Sequence, residues 1–182
     1  MITEIDLKDV LARSVGSPHS DLVTRSTGAK VRTTIEADLS GRPGDAAVVL
    51  DFSSVRVLDC SCADEVVAKL VLRRAEGPGG GPWFVIRGLA EGHAEEIDHV
   101  LRRRRLALVA EERDGPPRLL GEVDPSAAAA WDVLTGRGSA GAEEVAEALR
   151  LALAEAVRAL DALVNAGVVR RTGGRYLPLT AA

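Results

Sequence analysis

The stretch from Val48 to Leu72, VVLDFSSVRVLDCSCADEVVAKLVL, does most to limit what this chain can become. Val48, Val49 and Leu50 form an apolar run that ends on Asp51, the pattern of a buried strand. Val55, Val57 and Leu58 rebuild apolar character just before Asp59-Cys60-Ser61-Cys62. From Ala63 onward, Val66, Val67, Leu70 and Val71 fall at helical spacing, which predicts a helix. A polar turn therefore sits where a strand ends and a helix begins. Helix-start amides suit such a place to a hydroxyl, a phosphate or a partner's backbone.

Similar alternation runs through the first two thirds of the chain. Ile2 to Val15 reads as a short helix or a strand followed by a helix, leading into the turn-rich Gly16-Ser17-Pro18-His19-Ser20. Ser26-Thr27-Gly28 precedes a helix from Ala29 to Leu39 with Val31, Ile35 and Leu39 on one face, and Ser40 to Asp45 breaks it. Gly77 to Pro82 is a loop. Trp83 to Ile86 predicts a strand, and Ala94 to Arg104 a helix with Ile97, Val100 and Leu101 inward. Leu106 to Ala110 and Pro117 to Val123 predict two further strands, turned at Arg113-Asp114-Gly115-Pro116. Such a pattern favours an α/β fold in which helices pack on a sheet.

Near Asp124-Pro125 the character changes. Ser126 to Leu134 is an Ala-rich helix with Trp131 as its large anchor, Ala142 to Leu149 makes a second, and Leu153 to Asn165 a third. Gly167 stands where a left-handed C-terminal cap would stop that third helix. Val168 to Leu179 reads as two short strands around Gly173-Gly174, a hairpin signal. The expected division is thus residues 1–124 and residues 125–182.

Two resemblances follow from these residues. Asp51-Phe52-Ser53-Ser54-Val55, then Asp59-Cys60-Ser61-Cys62, resembles the STAS family, which includes the bacterial anti-sigma-factor antagonists and has the pattern D-[FL]-S-x-V followed by D-S-[ST]-G. Cys60 and Cys62 depart from that second motif. Continuing through Ala63-Asp64-Glu65, the match is closer to an uncharacterised STAS-like branch that carries S-F-A-D-E here. Three helices and a hairpin over residues 125–182 resemble a winged helix-turn-helix domain. In it, Gly138 to Ala146 looks like the entry into the second helix, and Ala162 to Val169 like the end of the recognition helix entering the wing.

The first resemblance implies a partner of the histidine-kinase-like ATPase type and a phosphorylation or partner-binding turn at Asp59, Ser61, Asp64 and Glu65. The second implies double-stranded DNA, with Arg158 and Asn165 on the third helix and Arg170, Arg171 and Arg175 in the wing. Each has a plainer alternative. Ser61 or Asp59 can simply cap the helix while Asp64 and Glu65 complement its dipole, and a winged helix can serve protein contacts instead of DNA. Arg102 to Arg105 ends a helix and complements its C-terminal dipole, or docks a partner.

Composition narrows the classes further. Twenty-three Lys and Arg against 27 Asp and Glu give a formal charge of −4, which argues against an extended non-specific nucleic-acid binder. Cys60 and Cys62, the only cysteines, are too close for an unstrained disulfide and lack the paired spacing of a zinc site, so no metal or cofactor is expected. No nucleophile elbow, His and Asp pairing or dinucleotide fingerprint is present, which speaks against an enzyme. The N-terminus lacks a signal-peptide pattern and no apolar run would span a bilayer, so the expectation is a cytoplasmic bacterial regulator with no membrane contact. The leading expectation is a STAS-like partner-binding or sensing module joined to a DNA-binding winged helix that regulates transcription, with a protein–protein interaction adaptor as the alternative; the oligomeric state stays open.

Overall fold

The computed structural model describes residues 2–16, 20–41, 46–76 and 81–180. Parts of the turn at 16–20, the break at 40–45 and the loop at 77–82 fall outside them. Strand β1 (Ile2–Asp6) runs into helix α1 (Leu7–Val15), with Asp6 capping the helix by accepting the Lys8 N–H at 2.8 Å. After β2 (Asp21–Leu22) comes α2 (Arg25–Asp38), then β3 (Ala47–Asp51) and β4 (Val57–Leu58). Next is one helical run in three pieces: α3 (Cys60–Ala63), a π-helical turn (Asp64–Ala68) and α4 (Lys69–Glu76). β5 (Trp83–Arg87), α5 (Glu91–Arg103), β6 (Ala107–Glu111) and β7 (Arg118–Gly121) complete the first part.

The sheet order is β1-β3-β5-β6-β7, with the first four strands parallel and β7 antiparallel to β6. β2 and β4 form a separate two-residue parallel pair that brings residues 21–24 beside the turn before α3. Val48, Leu50, Phe84, Ile86, Leu108 and Ala110 point to one face, where α1, α2, the 60–76 helical run and α5 bury them. Their neighbours Val85, Ala107 and Val109 point to the other. Strands covered on both faces read as continuous apolar runs, which is why VVL, FVI and ALVA show no alternation with polar residues.

The second face is covered by the C-terminal part: α6 (Pro125–Arg137), α7 (Ala142–Leu149), α8 (Leu153–Ala166), β8 (Val169–Thr172) and β9 (Arg175–Pro178). Gly167, at φ 79°, caps α8 in the left-handed region. Gly173 and Gly174 both take positive φ, as a two-residue hairpin turn that matches strand twist requires. Ala140 adds a short bridge to Tyr176 on the outer strand. Trp131, Leu134, Leu160 and Leu163 form one apolar cluster with Val85, Ala107 and Val109. Residues 125–180 therefore do not close a core on themselves; the sheet supplies part of it.

Candidate functional site

The polar corner is built around Asp59. The helix expected from Ala63 begins instead at Cys60, because Asp59 has extended backbone and its carboxylate accepts the Cys62 N–H at 2.7 Å as an N-cap. The same carboxylate accepts the Ser61 hydroxyl at 2.8 Å and the Thr24 N–H at 2.9 Å. Burial works against its charge, but these donors outweigh that and hold the Asp59 carboxyl below its ordinary range.

Thr24 is the strained residue of the corner. Its φ of 72° lies in the left-handed region, a real outlier for a β-branched side chain. Both of its backbone groups are engaged: its N–H by Asp59, and its carbonyl by the Gly28 N–H and the Cys62 thiol, the latter at 3.0 Å. Such strain costs on the order of 1–3 kcal/mol and persists only where the surroundings over-determine it. Gly28 allows the close packing that makes this possible, since a Cβ there would lie 2.9 Å from Glu65 Cβ and 3.1 Å from Cys62 Cα.

Cys62 is fully buried, and burial first, then Asp59, pushes its thiol up to about 12. It stays protonated at neutral pH, a poor nucleophile and a poor metal ligand. Cys60 is half-buried, and burial raises its thiol as well. Among the described residues no group of three or more His, Cys, Asp or Glu is placed to hold a metal ion.

Ser61 and Asp64 line an open cleft of about 520 Å³ together with Arg25, Cys60, Val100, Arg103 and Arg104. Arg104 grips Asp64 with two hydrogen bonds, at 2.6 and 3.0 Å, and Arg25 adds a third at 3.4 Å. Arg104 above all holds the Asp64 carboxyl below its usual range. Glu65 goes the other way. It lies within the π-helical turn, 3% exposed, and faces α2, where Lys69, Arg25 and Arg32 surround it. Burial opposes its charge, yet Lys69 and Arg25 keep its carboxyl low. Of the four residues expected at this turn, Ser61 and Asp64 line the cleft, Asp59 supports them from beneath, and Glu65 ties α3 to α2.

Of the five residues expected to meet DNA, Arg158, Asn165, Arg171 and Arg175 are exposed and Arg170 is half-buried. Arg158 and Asn165 are exposed on α8, but Glu155 and Asp161 are exposed beside them. Arg170 turns inward, its guanidinium 5.5 Å from the Trp83 ring centre. Arg175 pairs with Glu144 at 2.9 Å and donates to the Ser139 carbonyl at 3.0 Å. Arg171 lies over Tyr176 with its side chain exposed.

Thr24 and Arg25 are corner residues that reading the sequence missed, and Arg104, noted within Arg102 to Arg105, was not linked to Asp64. A Thr preceding a helix is a local signal for Thr24, and it marks a cap, not strain. Arg25 and Arg104 each lie about forty residues from Asp64 in the chain, and no local pattern announces such a pairing. Among the described residues no helix is long and apolar enough to cross a membrane. Compared with known proteins, the chain matches no family model and no curated relative.

Proposed function

We propose that this protein is a non-enzymatic regulatory adaptor whose two parts both make protein contacts. The first part is STAS-like: strand β3, the D-F-S-S-V turn, Asp59 and the helix that follows keep the family's order. Its working surface is the cleft at Ser61, Asp64, Arg25, Arg103 and Arg104. The partner implied by that resemblance is a protein of the histidine-kinase-like ATPase type. Residues 125–182 are winged-helix-like and serve the same role as a contact surface.

One observation carries the choice of protein over DNA: two of the wing's three cations are used within the chain. Arg175 is committed to Glu144 and Ser139, and Arg170 lies over Trp83 at the start of the central strand β5. What α8 offers outward mixes Arg158 with Glu155 and Asp161. Phosphate contacts dominate affinity for DNA, and a helix carrying acids on its exposed face repels the backbone it would have to approach.

A fluorescence-anisotropy titration with duplex DNA at several salt concentrations tests this reading. The adaptor requires no saturable binding at low salt, and no change when Arg171 and Arg158 become Ala. Tight binding that weakens steeply with salt, and that is lost in those variants, restores DNA as the target. For the protein arm, hydrogen exchange is measured with and without a histidine-kinase-like ATPase from the same source. Protection confined to residues 20–28 and 59–65 is the expected result.

A further inference from the structure

A second cleft, of about 560 Å³, lies between the sheet part and the C-terminal part. Arg74 on α4, Arg105 before β6, Glu122 and Asp124 of the β7–α6 connection, and Ala162 and Asn165 of α8 line it. Its size is that of a small-molecule site, and such sites favour the junction between two packed units.

The arginines decide what it would hold. Most described arginines of the sheet part pair with carboxylates, Arg104 with Asp64 and Arg87 with Asp51 among them, while the exposed Arg103 and Arg113 do not. Arg74 and Arg105 make no ion pair with any described residue. Arg74 lies over Trp83, its guanidinium carbon 3.8 Å from the ring centre. Its edge lies against Gly167, where an added Cβ would come within 2.7 Å of Nη1. Its Nε is buried with no hydrogen-bond partner among the described residues. A cation so placed is desolvated and oriented in advance; burial first, then Arg170, weaken its hold on its proton. An anion in the cleft offsets the lost hydration of this cation and its repulsion from Arg170.

Arg105 reaches the same cleft from a backbone at φ 54°, the left-handed region, so the turn that presents it is itself strained. Glu122 and Asp124 disfavour a polyanion and accept from hydroxyl or amino donors. The exposed amide of Asn165 can do either.

We propose that this cleft binds a small organic monophosphate of the sugar-phosphate or nucleoside-monophosphate class, with the phosphate on Arg74 and Arg105 and the hydroxyls on Glu122, Asp124 and Asn165. Because its walls come from both parts of the chain, the ligand fixes the C-terminal helices against the sheet. The site is separate from the corner at Ser61, and the inference does not rest on the adaptor reading.

The test is isothermal titration of the full chain with adenosine monophosphate, ribose phosphate and inorganic phosphate. At least one organic phosphate should bind saturably and more tightly than inorganic phosphate. Binding should weaken about ten- to a hundredfold in Arg105→Asn, the loss expected for one charge-assisted hydrogen bond. Asparagine tolerates the left-handed backbone at this exposed turn, so that variant keeps its fold. Arg74→Gln should weaken binding as well, and circular dichroism confirms that each variant is folded. Absence of saturable binding by both organic phosphates up to about 10 mM overturns the proposal, since affinity beyond that is too weak for a built site. So does binding that Arg105→Asn leaves unchanged, or inorganic phosphate binding as tightly as either organic one.

Discussion

Removing the carboxylate of Asp59 should unfasten the corner, and its cost can be built from the contacts. Asp59→Ala deletes the N-cap of the 60–76 helical run, a loss of about 1 kcal/mol. It also leaves the Thr24 N–H without the acceptor that sits 2.9 Å from it, at about 1–3 kcal/mol for an orphaned donor. Together these come to about 3 kcal/mol. For a chain of 182 residues that corresponds to a drop in Tm of about 6–12 °C, read by thermal denaturation followed by circular dichroism. Asp59→Asn keeps one oxygen to cap the Cys62 N–H but offers an NH2 where the second oxygen accepts from Thr24, so it should recover only the cap and still lose about 2 kcal/mol. Hydrogen exchange should show the loosening at 24–28 and 60–65, on both sides of the missing contact. A value for Asp59→Ala within about 0.5 kcal/mol of wild type, the range of an ordinary surface substitution, would refute the reasoning.

Three further outcomes follow from the same geometry. Thr24→Gly relieves the left-handed strain and gives up only a weak cap, the Thr27 N–H being 3.4 Å from the Thr24 hydroxyl; denaturant titration should show it neutral to about 1 kcal/mol more stable, and a loss above about 1 kcal/mol would mean the residue is not strained. Glu65→Gln should cost about 2 kcal/mol, less than a fully buried pair because Arg25 and Lys69 can turn to water. Asp59, Asp64 and Glu65 all have folded-state carboxyls below their ordinary range, so their stabilisation is complete above the unfolded pKa of about 4 and lost as pH falls through the lower folded values; an acid titration of stability should therefore be shallower in Glu65→Gln. Cutting the chain after Asp124 exposes Val85, Ala107 and Val109, so the 1–124 fragment should bind a hydrophobic dye and lose its sharp unfolding transition, whereas a fragment that melts cooperatively with no dye binding would show that the sheet stands without its cover.

What the sequence disclosed, and what it withheld, divides along one physical line. Helices announced themselves through spacing: Val31 and Ile35 in α2, and Ile97, Val100 and Leu101 in α5, are all buried as their periodicity predicts. The Gly173-Gly174 turn and the Gly167 cap were legible because positive φ leaves a local mark. Asp64 with Arg104, Glu65 with Arg25 and Arg170 with Trp83 were not, since a contact between residues distant in the chain has no local signature. Periodicity tells which side of an element is apolar and leaves open what covers it.

One long-range fact was nevertheless written in the strands. Residues at β3, β5 and β6 are apolar on both sides, and such a strand requires cover on both faces. The helices expected within 1–124 connect one parallel strand to the next and fill a single face. No other described helix of that segment is available for the second. The Ala-rich helices after Asp124 must supply it, and Ala127, Ala130 and Ala159 do so with side chains small enough to bring helix and sheet together. A boundary drawn at Asp124 from composition thus marks where the chain passes from one side of the sheet to the other. That passage makes the cleft at Arg74 and Asn165 a joint between two layers of one packed body, and an anion held there would set how firmly they close.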